Sequence, residues 1–71
     1  MASVISNFIK IKRKQNGLTQ IDLAEKSGVG LRFIRELEQG KPTLRLDKVN
    51  QVLRLIGHEL GPIVKPRENF E

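Results

Sequence analysis

Residues 19–40 read TQIDLAEKSGVGLRFIRELEQG, and the order of residue types in this stretch decides the fold. Thr19-Gln20-Ile21-Asp22 has the form of a capping box. The Thr19 hydroxyl accepts an amide at the third helical position, and Asp22 reaches back to the start. A helix opened in this way turns Leu23 and Ala24 inward, and the small Ala24 allows another helix to approach closely. It stops at Gly28, a residue suited to the left-handed conformation that closes helices. A turn of three or four residues follows. A second helix then covers about residues 31–39, with Gly30 as a tolerable N-cap and Gly40 as its stop. Ile34 and Leu37 supply its inward face and Phe33 is part-buried, while Leu31, Arg32, Arg35 and Glu36 occupy the other side. Two short helices joined by a tight glycine-containing turn form a helix-turn-helix unit.

Outward from this unit, the pattern continues as helix. Residues 4–16 form a first helix with Ser3 as its N-cap and Gly17 as its stop. Ile5, Phe8 and Ile9 make its apolar stripe at i, i+3, i+4 spacing, and Ile11 falls near the surface. Residues 45–56 form a fourth helix ending at Gly57, with Leu46, Val49, Leu53 and Ile56 as a core stripe. Val52 and Leu55 widen that apolar face beyond the needs of one small core, which suggests a second buried surface. The stretch His58-Glu59-Leu60-Gly61-Pro62-Ile63-Val64 alternates weakly and is interrupted by Gly-Pro. It fits a short strand pairing with the same segment of a second subunit, and equally an extended arm packed on the fourth helix. Pro62 offers no amide and suits only an edge or a strand end. Residues 66–71 read as a mobile polar tail. The expected fold is therefore all-α: a helix-turn-helix domain of four helices over residues 1–57, then a C-terminal dimerisation strand or arm over residues 58–71.

Composition bounds what such a domain can do. Seventy-one residues, 38% of them hydrophobic and with three Phe as the only aromatics, allow one small and mostly aliphatic core. Dimerisation is a common way for so short a chain to bury more surface. The absence of Cys excludes disulfides and thiolate metal sites and points to an intracellular chain. No apolar run reaches the length of a signal peptide or membrane span, so a cytoplasmic protein without membrane contact is expected. Thirteen Lys and Arg against eight Asp and Glu leave a net charge of +5, and residues 1–17 carry Lys10, Lys12, Arg13 and Lys14 with no acid. Such an excess attracts polyanions. Charge alone does not separate a DNA-binding surface from a merely solvated one. The helix-turn-helix pattern does, because that unit lays its second helix in the DNA major groove.

Other chemistries fit poorly. One His, no Cys and no Tyr leave little for catalysis, and Ser3, Ser6 and Ser27 read as capping or turn residues. Asp22, Glu25, Glu36 and Glu38 lack metal-loop spacing, and Gly28-Val29-Gly30 is too short to cradle a phosphate. No cofactor is expected. RNA binding is disfavoured because at least two of the three Phe are needed in the core, which leaves nothing to stack bases.

At Leu18-Thr19-Gln20, Leu23-Ala24, Gly28-Val29, Ile34, Glu38 and Gly40 the chain resembles the Cro/C1 (XRE-type, lambda-repressor-like) helix-turn-helix family of phage repressors and bacterial regulators. The resemblance spans about residues 5–56. The stretch from Pro42-Thr43 through the fourth helix to His58-Glu59-Leu60-Gly61-Pro62 is similar to the HipB-like branch. Its members are antitoxins that partner HipA-type kinases and repress their own operon, and a C-terminal strand pairs across their dimer. The resemblance implies a sequence-specific repressor. The alternative within it is an antitoxin acting mainly as a protein-interaction module that neutralises a partner toxin.

By the same resemblance, Gln20 clamps a DNA phosphate. Arg13 and Glu38 match the positions of a partly buried ion pair; the alternative for Arg13 is a free phosphate contact. The recognition helix departs from relatives that carry Gln or Ser near its start, since Gly30, Leu31 and Arg32 stand there. The guanidinium fork of Arg32 suits guanine O6 and N7, Leu31 suits a thymine methyl, and Arg35 reads a base or grips the backbone. Glu36 either accepts from cytosine N4 or pairs with Arg32 at i, i+4 spacing. Gln20, Lys41, Thr43, Lys12, Arg45 and the Gly30 amide are the phosphate candidates, whereas Lys10, Lys14 and Lys48 are read as solvated. Leu53, Ile56, Leu60 and Ile63 are candidates for a homodimer surface, with monomer core as the alternative. Such a dimer would set two recognition helices in successive major grooves of a palindromic operator, about 34–36 Å apart.

Overall fold

The computed structural model describes residues 4–63, and four helices follow one another along them: α1 (Val4–Gln15), α2 (Gln20–Ser27), α3 (Leu31–Gln39) and α4 (Leu46–Leu55). No strand occurs among the described residues. Ser3, Val64 and the polar tail fall outside them.

Local chemistry sets the helix ends. Thr19 stands at the N-cap of α2; its Oγ1 accepts the Asp22 amide at 3.0 Å, and Asp22 Oδ2 accepts the Thr19 amide at 3.0 Å. The Thr19 amide, and secondarily its hydroxyl, hold the Asp22 carboxyl below the usual Asp range. Gly28 closes α2 at φ +83°, and its amide donates to Ala24 O at 2.9 Å. A Cβ there would meet Gln51 Nε2 at 2.9 Å, and that same nitrogen donates to Ser27 O at 2.7 Å. Side-chain size and backbone conformation therefore both select glycine at position 28, and α4 satisfies a carbonyl that the end of α2 leaves open. Ser27 adds a hydroxyl bond to Leu23 O at 2.6 Å. Gly30 caps α3 through its backbone, whose carbonyl accepts the Ile34 amide at 3.2 Å.

One core joins the helices: Ile9 of α1, Leu23 and Ala24 of α2, Val29 of the turn, Ile34 and Leu37 of α3, and Val49, Val52 and Leu53 of α4. α3 packs against α1 and α2, and α2 also packs against α4. Ile34 and Leu37 are wholly buried. Burial of a side chain of this size is worth about 1.5–3 kcal/mol, enough to hold a nine-residue helix that would not persist alone.

Several expectations need correction. Leu46 belongs to no core stripe: it is 69% exposed, whereas Val52, expected to widen the apolar face beyond the core, is fully buried within it. The inward stripe of α4 is Val49, Val52 and Leu53 with Ile56 part-buried, because α4 meets α2 through its middle while Leu46 begins the helix at the edge of an open groove with Pro42 and Leu44. Leu55, by contrast, faces outward. Ser6 is no cap or turn residue but lies buried within α1. α4 begins at Leu46 with Arg45 as its N-cap, and α1 ends at Gln15.

Residues 58–63 belong to no helix and no strand. The Leu60 amide donates to Asn50 Oδ1 at 2.7 Å, the His58 amide donates to Leu53 O at 2.9 Å, and the His58 ring meets Phe8 edge-on at 4.9 Å. Among the described residues this segment is an arm held on α4 and α1, with no strand beside it to form a ladder.

Candidate nucleic-acid interface

The buried face of α3 dictates what its other face presents. With Ile34 and Leu37 turned inward, Arg32 and Arg35 project into solvent. The Arg32 side chain is 92% exposed and approaches Glu36 only through Nε, at 3.4 Å. Leu31 is part-buried against the core at the foot of this face. Glu36, 26% exposed, also lies 3.4 Å from Lys41 Nζ. Lys41 reaches it because the chain turns back at Gly40, φ +83°, and the Lys41 amide donates to Glu36 O at 3.1 Å.

A second, buried cluster sets the angle of α3. Arg13 Nε donates to Glu38 Oε2 at 2.7 Å and Arg13 Nη2 to Oε1 at 3.1 Å. The Glu38 side chain is 2% exposed and that of Arg13 11%. Arg13 Nη1 also donates to Leu18 O at 2.8 Å, so one guanidinium ties α1, the α1–α2 turn and α3 together. Gln20 Nε2 donates to Glu38 Oε1 at 3.1 Å. The amide of Gln20 has two N–H bonds and a carbonyl, so this bond orients it and leaves a further donor.

Arg13, Leu18, Thr19, Gln20, Leu31 and Arg35, with Ile21, line an open cleft of about 410 Å³ between the start of α2 and α3. The fold thus brings Gln20, Leu31 and Arg35 together. Lys41 and Thr43 stand exposed on the loop after α3. Arg45 is exposed and pairs with Asp47, Nη2 to Oδ2 at 2.8 Å, and hydrogen bonding to Arg45 holds the Asp47 carboxyl below the usual range. Lys12 does not line the cleft; its Nζ lies 5.7 Å from the centre of the Phe8 ring. Gly30 is exposed at the N-terminus of α3.

The candidates for a partner surface divide. Leu53 belongs to the chain's own core, Ile56 and Leu60 are part-buried against it, and Ile63 is 89% exposed. Leu53, Leu60 and Ile63, with Val4, Ile5 and Phe8, line a mostly apolar groove of about 610 Å³ along α1 and the arm. Sequence reasoning missed three participants. Ile21 is an exposed isoleucine in the cleft, Asn50 clamps the arm and Gln51 caps α2. Only Ile21 left a sequence signal, an apolar residue off the Leu23-Ala24 stripe; the two amides act between segments far apart in the chain. Among the described residues no group of His, Asp or Glu could hold a metal ion, and no helix is long and apolar enough to cross a membrane.

A short helix fixed by a buried face and a buried ion pair, with arginines on its open side, defines a DNA-binding protein of the helix-turn-helix class. Comparison with known sequences agrees: a family model described as helix-turn-helix matches residues 9–60. A relative from Sinorhizobium fredii, described as the uncharacterized HTH-type transcriptional regulator y4mF, is 51% identical over 64 residues, covering 90% of this chain and 83% of its own length. The chain belongs to the Cro/C1-type (XRE) helix-turn-helix family of DNA-binding regulators.

Proposed function

We propose that the protein is a dimeric, sequence-specific repressor of transcription that reads double-stranded DNA with α3. One observation carries this reading: Ile34 and Leu37 are buried while Arg32 and Arg35 stand open on the opposite face. Arg32 then sets its fork on guanine O6 and N7, Leu31 meets a thymine methyl, and Arg35 reads a base or the adjacent backbone. Gln20, Lys41, Thr43 and the Gly30 amide hold phosphates around the cleft. Arg45 and Lys12 join them only by leaving Asp47 and the Phe8 ring.

The dimer draws support from the apolar groove. Val4 at 88% exposure and Ile63 flank it, and a second copy covering this face would remove both from water. Two recognition helices related by a two-fold axis then match a palindromic operator. The finer reading, an antitoxin that also holds a HipA-type kinase, rests on the resemblance of the tail. A co-expressed kinase of that type that fails to co-purify removes it.

Gel retardation with DNA from upstream of the protein's own reading frame tests the function. Binding is expected at low salt, with a steep fall in affinity as salt rises. No retardation, or retardation insensitive to salt, refutes it. Deletion of residues 58–71 is expected to yield monomers by light scattering, and a surviving dimer refutes the role given to the arm.

A further inference from the structure

α3 carries two acidic side chains. Glu38 is neutralised inside the protein by Arg13, but Glu36 lies on the side that faces outward, and both of its partners are cations given above to DNA. Glu36 Oε2 stands 3.4 Å from Arg32 Nε and 3.4 Å from Lys41 Nζ. The second contact is built into the fold, because the turn at Gly40 folds Lys41 back over the last turn of α3. When Arg32 moves to a base edge and Lys41 to a phosphate, one carboxylate loses both partners at once and is pressed against a polyanion. That cost falls on every DNA sequence alike. It is relieved only where a base offers an N–H donor, and in the major groove those donors are cytosine N4 and adenine N6.

We infer that Glu36 is a specificity-determining residue that works by penalty. It holds Arg32 and Lys41 back from non-cognate DNA, and it is partnered again only at a site that offers guanine to Arg32 and a base amino group to Glu36. This inference rests on the DNA-binding reading above and adds a mechanism for discrimination.

The test uses the full chain and the variant Glu36→Gln, which removes the charge, keeps the shape and sits at a partly exposed position. Circular dichroism and a thermal melt check that the fold is kept. A preferred duplex is selected from a random library with the wild-type protein, and a scrambled duplex of the same composition serves as the non-cognate probe. Glu36→Gln is expected to bind the scrambled duplex about threefold to tenfold more tightly, while affinity for the selected duplex holds or falls. The salt slope on the scrambled duplex should steepen by up to about one unit. Glu36→Ala should change the ratio in the same direction. Equal shifts on both duplexes, or weaker binding to the scrambled one, overturn the penalty role. A wild-type protein that binds no duplex at low salt overturns the DNA reading itself, and with it the inference. A wild-type protein that binds, with an unchanged ratio in both variants, overturns the inference alone.

Discussion

α3 holds two arginine–glutamate contacts with opposite characters. At its C-terminal end Glu38 takes two hydrogen bonds from Arg13, at 2.7 and 3.1 Å, in a nearly dry setting. Nearer its start Arg32 and Glu36 touch at 3.4 Å through a single nitrogen, with the arginine in open water. The first contact cannot be exchanged without stranding a charge, so it sets where the helix lies. The second is exposed and solvent-screened, so it can be exchanged for a ligand contact at a cost that one base contact repays. One helix therefore has an anchored end and an exchangeable end, and the anchored end makes the exchangeable one a defined surface.

That contrast breaks most sharply at Glu38. Glu38→Ala leaves the Arg13 guanidinium without its partner and frees the Gln20 amide, and it should lower stability by about 3–5 kcal/mol. For a domain this small that is most of the available stability. Urea denaturation reads the effect, and a midpoint close to wild type would mean that the buried pair does not anchor the helix. Arg32→Ala should leave the melting curve unchanged but cost about 1–3 kcal/mol of binding to the preferred duplex and relax selectivity at one base pair. Equal loss on all sequences would make Arg32 a backbone contact. Lys41→Ala should have the smallest effect, lowering the salt slope by about one unit with the identity of the preferred sequence unchanged. An unchanged slope removes Lys41 from the phosphate set.

Much of the fold was legible because single residues carry the helix ends. Thr19 with Asp22, and Gly28 and Gly40 in left-handed backbone, each answer a local chemical demand that is readable without knowing the neighbours in space. The arginines of α3 were legible for a related reason, since helical periodicity puts them opposite Ile34 and Leu37. Periodicity was less informative in α4, where Leu46 and Val52 both fit an apolar stripe. Only packing against α2 shows that Val52 is inside and Leu46 outside. Two side-chain amide contacts were hidden for a different reason. The Gln20–Glu38 and Gln51–Ser27 bonds join residues 18 and 24 positions apart, and amides at those positions carry no pattern that marks a partner.

By itself, the sequence determined that four short helices form, where α2 and α3 start and stop, and which face of the third is charged. These are local matters of capping, backbone conformation and the period of the α-helix. The tertiary structure alone decided which α4 residues fill the core, that residues 58–63 lie as an arm on Asn50 and Phe8, and that Gln20 and Arg13 meet on Glu38. These depend on distances between segments remote in sequence, which only the packed chain sets.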